Sequence, residues 1–104
     1  MRRALHIRPL ATADIDHAAA YLLTENPPAA VAFLDALESA FALLSEQPGM
    51  GSPRYAHLIP AEILRMWPLA GFPYLIFYLE RDAALDIVRV LHTARDLPTL
   101  LTES

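Results

Sequence analysis

The sequence predicts one α+β domain spanning residues 1–104: an N-terminal strand, a helical hairpin, a three-stranded antiparallel segment that completes one sheet, and a short C-terminal helix or tail. Three observations carry that prediction. Apolar residues recur at helical spacing between Ile15 and Leu44, they fill both parities of residues 74–79 and 85–91, and a Pro- and Gly-rich stretch at 47–53 separates the two halves.

Leu5, Ile7 and Pro9 alternate with His6 and Arg8, a period of two that predicts a strand over residues 4–8 ending at the proline. Thr12 is then the expected cap of a first helix, with Asp14 and Asp16 in its first turn, where negative charge suits a helix N-terminus. Ile15, Ala18, Ala19, Leu22 and Leu23 form its apolar stripe. Asn26-Pro27 supplies a second cap followed by a proline at the first helical position, so a second helix begins almost at once. Within it Ala30, Leu34, Leu37, Phe41 and Leu44 recur in steps of four and three, with Asp35, Glu38 and Glu46 on other faces.

Residues 62–67, 74–80 and 85–92 read as strands joined by short links, which implies antiparallel neighbours. Apolar residues at both parities of the last two strands require cover on both sheet faces. One helical hairpin covers one face, leaving the other to a partner or to the tail at 97–101. Asp96, two residues ahead of Pro98, reads as the N-cap of a short terminal helix rather than as a catalytic acid.

Composition narrows the function. A chain that is 55% hydrophobic can fill a core, which excludes disorder through lack of burial. Pro68, Gly71, Pro73, Glu80 and Arg89 interrupt the apolar stretches, and no membrane-spanning segment is expected. The N-terminus alternates instead of presenting the apolar core of a secretory signal, which predicts a cytoplasmic protein. With no cysteine, disulfides, thiolate zinc sites and cysteine nucleophiles are all excluded. Net charge is −4 and all eight basic residues are arginine, so the broad positive field of a nonspecific nucleic-acid binder is missing.

The order strand, helical hairpin, Pro-Gly loop and three strands, with Arg65, Pro68, Phe72, Tyr74, Phe77-Tyr78, Arg89-Val90, His92 and Arg95-Asp96, resembles the RelE/ParE toxin superfamily in its ParE branch. The most specific part is Phe72-Pro73-Tyr74-Leu75-Ile76-Phe77-Tyr78, followed by Ile87-Val88-Arg89-Val90-Leu91-His92 and Arg95-Asp96. The resemblance implies the toxin of a type II toxin-antitoxin system, held inactive by a ParD-like antitoxin in a hetero-oligomer. ParE members poison DNA gyrase by binding, and RelE members cleave messenger RNA on the ribosome. No metal, organic cofactor, membrane contact or direct sequence-specific nucleic-acid binding is implied.

RNA cleavage of the RelE kind needs a base, an acid and cations around a phosphate. Arg65, Arg89, His92 and Arg95 are the sheet-side candidates. The chain departs from that pattern, because it has no lysine and all four tyrosines precede residue 79. Gyrase inhibition without chemistry is therefore the leading expectation, RelE-like cleavage the alternative, and a non-toxic antitoxin-binding homologue a third reading. His92 reads as an anchor of the sheet terminus by a hydrogen bond ahead of a general acid or base. Arg89, flanked by Val88 and Val90, is expected half-buried and paired, with Glu62, Glu80 or Asp96 as partner.

Trp67, Phe72, Tyr74 and Tyr78 form either core or an aromatic docking patch; alternation sends Tyr74 and Tyr78 to one face and Phe77 to the other. Arg95, Leu97, Leu100 and Leu101 complete the partner-binding candidates. His6, His17 and His57 lack metal-like spacing, and Ser39, Ser45 and Ser52 lie in no nucleophile turn.

Overall fold

A computed structural model describes residues 3–59 and 62–102. Strand β1 (Ala4–Ile7) leads into helix α1 (Pro9–Glu25) and helix α2 (Pro27–Glu46). Two short 3₁₀ turns follow, at Pro48–Met50 and Ala56–Leu58, and then β2 (Arg65–Pro68), β3 (Tyr74–Glu80), β4 (Ala84–His92) and helix α3 (Leu97–Thr102). The strands form one mixed sheet in the order β1-β4-β3-β2, with β2–β3 and β3–β4 antiparallel and β1–β4 parallel.

Several boundaries differ from the sequence reading for physical reasons. Helix α1 starts at Pro9 instead of after Thr12, because proline's fixed φ and missing N–H suit the first helical position. Arg8 is therefore the N-cap, without a side-chain cap bond, and β1 ends at Ile7. Asn26 serves both helices: its N–H donates to the Leu22 carbonyl, and its side-chain oxygen accepts from the Ala29 N–H. β2 begins at Arg65 rather than residue 62, so Glu62 stands outside the ladder. Pairing of β1 alongside β4 could not be read from a turn, since no short link joins them.

α2 also corrects the expectation that no stretch reaches bilayer-spanning length. It has 20 residues and is apolar enough to cross a membrane by length and composition. Here it is a core helix, with Phe33, Leu37, Ala40, Phe41 and Leu44 buried and Asp35 and Glu38 exposed.

Both sheet faces are covered. Phe33, Leu37, Phe41 and Leu44 of α2, with Ala11 and Ala18 of α1, pack on Ile76, Tyr78, Leu85, Ile87 and Val90. On the opposite face Leu75, Phe77, Leu79, Val88 and Leu91 meet Leu64, Leu97 and Leu101. The C-terminal segment therefore fills the second face, in the shape the both-parity pattern demanded. Asp96 caps α3: its carboxylate accepts from the Thr99 N–H and Oγ1.

The β3–β4 ladder slips once, pairing Tyr78 with Ile87 but Phe77 with Arg89, so Val88 is an extra residue on β4. Strict alternation from the helix-facing Ile87 would aim Arg89 into the apolar layer beneath α2. The bulge resets the parity. Arg89 stands opposite Phe77, and Val90 returns to the helix-side core.

Candidate functional site

Past Ile7 the margin of β4 runs on without β1, and α1 takes over that margin. Arg89, 7% exposed, is held bidentately by Asp14: Nε donates to one carboxylate oxygen at 2.7 Å and Nη2 to the other at 2.8 Å. Nη1 reaches the Leu100 carbonyl of α3 at 3.2 Å, and Asp14 also accepts the Val90 N–H at 3.1 Å. One arginine thus ties β4 to helices on both sheet faces. Its partner is Asp14, not Glu62, Glu80 or Asp96; Asp14 reads in sequence as a first-turn helix charge, which hid its pairing.

At the far end of β3 the Tyr78 ring is fully buried. Its hydroxyl donates to the Pro48 carbonyl at 2.6 Å and accepts the Gly51 N–H at 2.9 Å. Burial pushes this hydroxyl above its ordinary pKa, against the lowering pull of the Gly51 N–H and the Arg65 charge. Arg65 donates to the Gly51 carbonyl at 2.9 Å, so it serves to hold the 47–53 loop.

Asp86 gathers two more arginines. Arg8 is bidentate on it at 3.1 and 2.9 Å, and Arg81 adds a 3.3 Å bond while also pairing with Glu62. Burial raises the Asp86 carboxyl, but the two guanidinium groups outweigh it and leave the group below the usual carboxylate range.

His92 ends β4. Its Nδ1 accepts the Ala94 N–H at 3.0 Å, and its ring meets the edge of Tyr74 at 5.2 Å. The imidazole therefore anchors the sheet terminus through Nδ1. Arg95 is exposed in the following turn. Arg65 is remote from both: it pairs with Tyr78 whereas His92 pairs with Tyr74, four residues or roughly 13 Å along β3, and β2 and β4 flank that strand about 10 Å apart.

Of the partner-binding candidates, Tyr78, Leu97 and Leu101 are buried in the folded chain, and Leu100 is half-buried. Trp67, Phe72 and Tyr74 are half-buried on the helix side, with Phe72 edge-on and Tyr74 tilted against Phe33 at 5.5 and 5.2 Å between ring centroids. Sequence reasoning passed over a different surface. A groove of about 400 Å³ runs between β1 and α2, lined by Leu5, Ile7, Ile15, Leu34, Leu37 and Phe41. Leu5 and Leu34 are each nearly half exposed there. The sequence signal was Leu34, which belongs to the periodic stripe of α2 yet stays outside the core.

Comparison with known proteins follows the same outline. The sequence matches the family described as ParE toxin of type II toxin-antitoxin system, parDE, over residues 5–97. Among solved structures, a chain of the chromosomal ParDE TA system from P. aeruginosa superimposes with a TM-score of 0.71 at 17% identity, covering 88% of this chain and 96% of that one. At that identity the likeness is one of fold. No curated protein matches the sequence.

Proposed function

The chain belongs to the ParE toxin family of type II toxin-antitoxin systems, and from that premise we propose that it arrests growth by binding DNA gyrase and trapping the cleaved-DNA state in the cytoplasm, without chemistry of its own. One observation supports the non-catalytic reading above the others: of the four groups a phosphate-cutting site would draw on, only His92 and Arg95 share a cleft. Arg89 is spent on Asp14 and α3, Arg65 lies at the far end of the sheet on a loop carbonyl, and His92 accepts a main-chain N–H. Only Arg95 of the set has no side-chain bond among the described residues. A supercoiling and cleavage assay with purified protein and gyrase tests the proposal. Lost supercoiling with accumulated cleaved DNA is expected; full supercoiling and intact DNA with toxin in excess overturns it. Cut messenger from translating ribosomes would establish the RelE-like alternative. Normal growth on expression without antitoxin would establish an inert antitoxin-binding homologue.

The neutralising partner in this reading is a ParD-like antitoxin, forming a hetero-oligomer with the toxin. β1 is a sheet edge whose outer backbone groups face away from β4, and the apolar groove lies directly beside it. An added antitoxin strand satisfies that edge while its alternate apolar side chains fill the groove. Leu34→Glu is expected to weaken antitoxin binding by about tenfold or more, by placing a charge on desolvated surface. Its exposed position should leave the thermal midpoint nearly unchanged. Unaltered affinity in a titration of the variant would move the docking surface elsewhere.

A further inference from the structure

A cleft of about 150 Å³ opens between α1 and the end of β4, lined by Asp14, His17, Ala18, Tyr21, Tyr74 and Val90 together with Leu91, His92 and Arg95. We propose that this cleft is an oxyanion subsite that takes the carboxylate of an acidic side chain on a peptide segment, a role separate from gyrase inhibition and from the β1 groove. The argument is one of donor count. The side chains of His17, Tyr21, Tyr74 and Arg95 make no hydrogen bond or ion pair among the described residues, although all four border the cleft. His92 has its Nδ1 occupied by the Ala94 N–H, which leaves the second ring nitrogen to carry a proton.

Anionic acceptors are nearly lacking. Asp14 is the one acid in the lining, and both its oxygens are taken by Arg89, with the Val90 N–H added. Asp96, next to Arg95 in the chain, gives its carboxylate to Thr99. A concavity bordered by unspent donors around a neutralised acid favours an oxyanion, and Arg95 can meet it with a forked, charge-assisted pair. Burial and the neighbouring Tyr21 hydroxyl raise Tyr74 above its ordinary pKa, so it remains a donor at neutral pH.

Size and charge decide what presents the anion. The volume suits the end of one acidic side chain and falls below the roughly 300 Å³ at which small-molecule pockets begin. A chain of net charge −4 with one unpaired arginine at the cleft repels an extended polyanion, so an acidic peptide is favoured over a nucleic acid.

Imidazole NMR resonances of His17 and His92 in the full chain report occupancy. Inorganic phosphate should shift both saturably, an end-capped Gly-Gly-Glu-Gly-Gly peptide with its single carboxylate should compete at lower concentration, and Arg95→Gln should weaken both by about tenfold or more, as loss of one charge-assisted bond requires. Arg95 is exposed and outside the Asp14–Arg89 pair, so the variant is expected to fold; matching amide spectra would verify it. Absence of a saturable shift, or an equal response in Arg95→Gln, overturns the subsite. Phosphate binding without peptide competition, or a thymidine pentanucleotide binding more tightly than the peptide, overturns the peptide assignment.

Discussion

Asp14→Ala is expected to cost about 3–5 kcal/mol of unfolding free energy, the penalty for removing one member of a buried, hydrogen-bonded ion pair. The loss is large because Arg89 is only 7% exposed and cannot retreat to water without dragging β4 out of register. The Val90 N–H loses its acceptor in the same step. Asp14→Asn should fall between wild type and alanine, since an amide oxygen still accepts from Val90 or Arg89 while the charge is gone. Urea titration measures both. A change below about 1 kcal/mol for Asp14→Ala would mean that the pair behaves as a solvent-screened surface bridge. If Asp14→Ala cannot be purified, Asp14→Asn together with Asp14→Leu/Arg89→Leu remains informative: replacing both charges with apolar groups should recover much of what a single replacement loses.

Gly51→Ala is the second substitution expected to be severe. A Cβ there would lie 2.3 Å from the Tyr78 hydroxyl and 2.9 Å from the Met66 carbonyl oxygen. The backbone is not the obstacle, because Gly51 has φ −70°, which alanine adopts freely. Neither neighbour yields easily. Tyr78 is fully buried and bridges Pro48 to Gly51, while the Met66 carbonyl accepts the Ser52 N–H. Overpacking and loss of the hydroxyl's bonds together should cost about 2–4 kcal/mol. Removing the obstructing hydroxyl supplies the control: Tyr78→Phe alone should cost about 1–3 kcal/mol, and the double variant less than the sum of the two. Additive losses in denaturant titrations would show that the clash is not with this hydroxyl.

Much of the fold was legible because local rules and tertiary packing agree. The steps of four and three in α2 mark the stripe that meets the sheet, with Leu34 the exception, and Asn26-Pro27 marks the break between helices. The need for cover on both sheet faces was legible in residues 74–79 and 85–91 for the same reason, though not whether the tail or a partner would supply the second. The extra residue at Val88 was not, because a run that is apolar at both parities looks the same with or without an insertion. That hidden slip also concealed the Asp14–Arg89 pair. Its two members are 75 positions apart, and no local spacing rule links such distant charges. The candidate cations could be listed from the sequence, but their dispersal to opposite ends of the sheet depends on β2 register, which the loop between β2 and β3 sets.

The parallel pairing of β1 with β4 orders events during synthesis. β1 has no partner until residues 84–87 have been made, so the nascent chain carries an unfinished sheet while the 76 residues between the two strands are added. A product terminated before that point lacks the central strand against which both helices and the opening segment assemble. Completion of the sheet is thereby reserved for chains that extend through β4.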